Sequence, residues 1–88
     1  MTDQMNNIEA SFITLSMSIA SAAAMALGLA PDPSTKKTSV DLHMAKFNID
    51  LLEVLENKTK GNLVKEEADF MKHVLTDLKL KYVEVSKK

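Results

Sequence analysis

The chain has 88 residues, twelve acidic and eleven basic side chains, and a formal net charge of −1. A chain this short builds one small core, and such cores lean on disulfides, a bound metal or association. The absence of cysteine removes disulfides, thiol catalysis and thiolate metal sites, and two histidines offer little for any other structural metal. Near-zero charge, no Trp and one Tyr leave neither a basic field nor stacking platforms, so no nucleic-acid partner is expected.

The charge is unevenly placed. All eleven basic residues are lysines at or beyond Lys36, while only Asp3, Glu9 and Asp32 precede it among the acids. Between Glu9 and Asp32 runs ASFITLSMSIASAAAMALGLAP, Ala10–Pro31, with no charged side chain. Secretory signals open with Lys or Arg; the acidic opening MTDQMNNIEA points instead to the cytoplasm.

Residues 1–6 are polar, and terminal residues of this kind fray. From about Asn7 to Leu27 the composition predicts one long helix, rich in Ala, Leu, Met and Ile and free of proline. Gly28, Pro31 and Pro33 stop it. At 100° per residue, Ile8, Phe12, Leu15, Ile19, Ala22 and Ala26 share one face, and Ile13, Met17, Ala20, Ala24 and Leu27 the next. Only the stripe Asn7, Ser11, Thr14, Ser18, Ser21 is polar; its hydroxyls can return hydrogen bonds to carbonyls one turn back.

A helix apolar around most of its circumference has to be covered on most sides. Small residues at intervals of four, Ser16, Ala20, Ala24 and Gly28, would let a second backbone approach closely. We therefore expect self-association as a dimer or tetramer through Phe12, Ile13, Ser16, Met17, Ala20, Ala24 and Gly28. The alternative is a membrane-associated accessory subunit with residues 10–31 in the bilayer, since the uncharged run is long enough to cross it. Four serines and a threonine, with no aromatic belt or flanking lysines, weigh against that. An interfacial helix would carry a basic polar face, and this one is neutral.

Residues 29–40, LAPDPSTKKTSV, read as a linker long enough to leave the flanking helices some freedom of angle. A second helix is predicted from about Leu42 to Lys58, capped by Asp41 or Ser39 with Val40 as an apolar staple. Leu42, Ala45, Ile49, Leu52 and Leu55 form its apolar stripe, widened by Met44, Leu51 and Val54. Lys46 and Asp50 pair weakly on its flank, and Gly61 or Asn62 suits the left-handed turn after it. The third helix, from about Lys65 to Val85, carries Met71, Val74, Leu75, Leu78 and Tyr82 inward, with Phe70 and Val85 beside them. Acids crowd its start and lysines its end, as the helix dipole favours. The short turn between these two helices makes them an antiparallel hairpin. The expected fold is all-α: a long apolar first helix plus that hairpin, assembled as a helical-bundle oligomer.

These segments resemble a bacterial family, domain of unknown function 1844, from about Phe12 to Val85. The specific parts are Pro31-Asp32-Pro33, Lys58-Thr59-Lys60-Gly61-Asn62-Leu63 and Asp77-Leu78-Lys79-Leu80-Lys81-Tyr82-Val83. The resemblance implies a short all-helical protein and carries over no catalytic or binding residue. Two departures have physical content. The family pattern has a capping Thr or Ser where this chain has Val64, so that Asn62 would have to cap an earlier start. Its Gly after the Pro-Asp-Pro turn is replaced by a lysine at position 36 or 37.

Candidate chemistry is thin. Asp69, His73 and Asp77 share one helix face at spacings of four, the geometry of a metal pair or an acid–base pair, but on the side away from the apolar stripe. His43 beside Asp41 reads as surface next to a cap. Lys72, Lys79, Lys81, Lys87 and Lys88 lack the arginines of a phosphate site, and Lys58–Asn62 ends a helix instead of following a strand. The methionines at 17, 25, 44 and 71 fit a core better than an adaptable surface. No catalytic residue, cofactor or metal is expected. The sequence reads as a small cytoplasmic interaction or structural protein, acting as a homo-oligomer or with an unidentified protein partner.

Overall fold

The computed structural model describes residues 10–87. Among these residues are three helices, α1 Phe12–Ala26, α2 Leu42–Lys58 and α3 Lys65–Ser86. The expected all-α class is correct. The expected long first helix is not: α1 has 15 residues and is the shortest of the three, while α3 has 22. Its early start fails because Ser11 is extended and its Oγ accepts from the Thr14 N–H at 3.1 Å, an N-cap that ends the helix there. Asn7, Ile8 and the expected frayed segment 1–6 lie outside the described residues, as does Lys88.

At its other end α1 closes in a Schellman turn. Gly28 takes φ +78°, Gly28 N–H donates to Met25 O and Leu29 N–H to Ala24 O. The linker then returns. Leu27 and Val40 form an antiparallel bridge, and Asp41 N–H donates to Ala26 O at 2.7 Å. The linker is therefore clamped at its base, against the expectation of free reach between the helices. Its tip is closed as well: Asp32 N–H donates to Lys37 O, Lys36 N–H to Asp32 O, and the Asp32 carboxylate accepts from Ser34 N and Oγ. Lys36 holds φ +61°, the left-handed region that glycine occupies at little cost.

α2 starts at Asp41, whose Oδ1 accepts from Met44 N at 3.1 Å, and ends at Thr59, followed by Gly61 at φ +89°. α3 begins at Lys65 with Val64 in the N-cap position, so Asn62 does not take over. Val64 has no side-chain acceptor to give; half of the usual capping arrangement survives, since Glu67 Oε1 accepts from Val64 N at 3.0 Å.

α2 is the middle element, packed on both α1 and α3, with the α1–α2 contact the more extensive. The core is small: Ala23 and Leu27 from α1 and its cap, Ala45, Ile49 and Leu52 from α2, and Met71, Leu75 and Leu78 from α3. The side chains of Phe12, Ile19, Ala20, Leu42, Leu55, Val74, Tyr82 and Val85 close it from the edges. The three-helix array is thin, 16 Å across in its shortest Cα extent, so each helix keeps a broad outer face.

Candidate interaction surface

The outer faces carry the chain's most distinctive surface. Ile13, Leu15 and Met17 on α1, Met44, Phe47 and Val54 on α2, and Leu80 and Val83 on α3 are all exposed. Among the described residues, more large apolar side chains stand open than are buried in the core. Scattered exposed apolar residues need no explanation, but aligned ones do.

On α2 they are aligned. Met44, Phe47 and Val54 are 48%, 54% and 54% exposed, and half-buried Leu51 lies between the last two. The stripe Met44-Phe47-Leu51-Val54 faces away from the buried stripe Ala45-Asn48-Ile49-Leu52. The reading that Met44, Leu51 and Val54 merely widen the inner stripe is thus corrected: α2 has two apolar faces, and among the described residues only one packs into the core. Phe47, absent from that reading, is the largest member of the outer one. Its spacing of three and four from Met44 and Leu51 is the signal that would have found it.

The residues expected to form a self-association face on α1 are divided by the fold. Ser16 is fully buried and Ala20 packs on the core edge, so these small residues are taken up inside the chain. Gly28 lies beyond the helix in the Schellman turn, where a Cβ would stand 3.0 Å from Val40 Cγ2. Phe12 is half-buried against the core and Ala24 is half-buried. Ile13 and Met17 remain open, Met17 at 49%. Ser16 Oγ is buried and has no hydrogen-bond partner among the described residues, not even a carbonyl one turn back. Thr59 makes such a bond, Oγ1 donating to Leu55 O at 2.7 Å. Of the four methionines read as core, Met71 is buried, Met25 half-buried, and Met17 and Met44 exposed.

The polar candidates are solvated. Asp69, His73 and Asp77 line the outer face of α3, all exposed, and Lys65 Nζ lies 3.8 Å from Asp69. His43 is exposed too. Between α2 and α3 lies an open depression of about 310 Å³, lined by Lys46, Ile49, Asp50, Glu53, Lys79 and Tyr82. Its charges are paired, Lys46 Nζ with Asp50 at 3.0 Å and Lys79 with Glu53. The hydrogen bond to Asp50 raises the Lys46 pKa above the ordinary lysine value, and its Coulombic attraction adds to that. Both pairs are exposed and add little to stability: Lys46–Asp50 lies within α2, and Lys79–Glu53 joins α2 to α3. Among the described residues, no three His, Cys, Asp or Glu side chains stand close enough to hold a metal ion.

The reading of residues 10–31 as a bilayer span is overturned. Among the described residues no helix is long and apolar enough to cross a membrane. At 1.5 Å per residue α1 is only about 22 Å long, against a hydrocarbon core of about 30 Å.

Fold and surface together define a small all-α protein, with three helices among the described residues and a surface distinguished by aligned apolar side chains. A family model described as domain of unknown function (DUF1844) matches residues 9–84, and the chain belongs to that family. Comparison with curated proteins and with solved structures gives no match.

Proposed function

We propose that this protein is a small helical interaction protein that works by self-association, as a dimer or tetramer, or as one subunit of a larger complex. The observation that carries the reading is the imbalance, among the described residues, between a core of eight buried apolar residues and the larger set of exposed Ile, Leu, Met, Phe and Val side chains. At roughly 25 cal/mol per Å² of apolar surface removed from water, covering those side chains is a substantial gain for a domain of this size. A cytoplasmic setting suits the cysteine-free composition.

On α1 the side chains left open are Ile13 and Met17, with Ala24 half-buried. Ser16 and Ala20 serve the fold, so enlarging Ala20 would test packing within the chain. Light scattering on a size-exclusion column, without detergent, tests the proposal. The expected mass is a small integer multiple of 9.7 kDa. A chain that stays at that mass at high micromolar concentration and captures no partner refutes it.

A further inference from the structure

The outward stripe of α2 has a register of its own. Met44, Phe47, Leu51, Val54 and Lys58 follow one another at steps of three, four, three and four. That is the a/d spacing of a coiled-coil seam. From Met44 to Val54 the seam is uncharged, and the helix that carries it is held from behind by the core residues Ala45, Ile49 and Leu52.

We infer that this seam pairs antiparallel with the same seam of a second copy. This deepens the self-association reading and rests on it. The register is self-complementary. With a two-fold axis beside position 49, Met44 meets the partner's Val54 and Phe47 meets the partner's Leu51, a large side chain against a smaller one in each layer. Lys58, the seam's one charged residue, lands beside the partner's Asp41, the N-cap of the opposite helix. A parallel pair would bring the two Lys58 ammonium groups together and align the helix dipoles unfavourably. Near the axis Asp50 approaches its own copy, but each Asp50 is already neutralised by Lys46 at 3.0 Å.

The seam offers on the order of 300 Å² of apolar surface per copy. A standard stable interface buries roughly 800 Å² per partner, so this pair reaches that class only with its polar flanks and dissociates at micromolar concentrations.

Sedimentation velocity over a dilution series tests this on the wild type, F47E, V54E and M17E, with circular dichroism to verify that each keeps its helices. The chain has no cysteine, so M44C and V54C made singly supply clean cross-linking probes. The expected result is a wild-type dimer, loss of at least tenfold in association for F47E and V54E, and no loss for M17E. The cross-link should form when M44C and V54C are mixed and not within M44C alone. A dimer that F47E and V54E leave intact overturns the α2 seam while self-association stands, and loss in M17E then transfers the interface to α1. Cross-linking of M44C to itself overturns the antiparallel register. A wild type that is monomeric throughout overturns both the seam and the self-association reading.

Discussion

The N-terminus of α3 is the place where a single substitution should strengthen this protein. Val64 sits at the N-cap with extended φ −74° and ψ 164°, the backbone geometry a capping residue needs, and its own N–H is already accepted by Glu67 Oε1 at 3.0 Å. What is missing is a side-chain oxygen to accept in return from the first turn. Ser11 and Asp41 provide it for the other two helices, each at 3.1 Å. Val64 is 59% exposed, so V64T exchanges a methyl for a hydroxyl with little loss of burial. Completing the cap should add about 1 kcal/mol. In a domain of this length that raises Tm by about 4–8 °C. Thermal and urea denaturation followed by circular dichroism would read it, with all variants at one protein concentration because association also shifts stability. S11A and D41A are the reference losses, each expected near 1 kcal/mol in the opposite direction. If both lose stability while V64T stays within about 0.3 kcal/mol of wild type, the half-made cap is not the limiting feature and the reasoning fails.

Other substitutions follow from the same geometry. K36G should gain about 1 kcal/mol by relieving the left-handed φ, less the entropy that glycine adds to the unfolded chain; a loss in urea denaturation would mean that the lysine side chain has a role in the loop. G28A should cost more than 1 kcal/mol, since it meets both a positive φ and Val40 Cγ2 at 3.0 Å, and melting temperatures would check it. S16A should stabilise by about 1 kcal/mol, because it removes a buried hydroxyl with no partner and improves helix propensity; a loss would show that the hydroxyl is satisfied in solution. The Ser34 hydroxyl and N–H hold the Asp32 carboxyl below its ordinary pKa. A depressed acid favours the folded loop above its ordinary pKa and loses that contribution as pH falls through the lower, folded value. The Ser34 amide resonance should therefore titrate at a lower pH in the protein than in a peptide of residues 31–37.

The ends of the helices were legible because their causes are local. Asp41 before an apolar-periodic run, Gly28 ahead of two prolines and Gly61 after Lys58 act over three or four residues. The cap at Ser11 is just as local, but helix-forming residues stand on both sides of it, so composition alone predicts a longer helix than α1. The closed base of the linker was not legible, since the Leu27–Val40 bridge joins residues whose pairing depends on how α1 meets α2.

The sequence by itself determined three helices, their stops and the core stripe of α3, because propensity, capping and 3.6-residue periodicity all follow from neighbours along the chain. Only the tertiary structure decided which apolar faces are consumed within the chain. α2 carries Ala45-Ile49-Leu52 and Met44-Phe47-Leu51-Val54 on different sides, and periodicity rates both as apolar. α1 presents Ser16 and Ala23 inward while Met17 stays open, though the methionine is the more hydrophobic side chain. Packing places small residues where two backbones come close, so the choice between inner and outer face rests on shape and on neighbours distant in sequence.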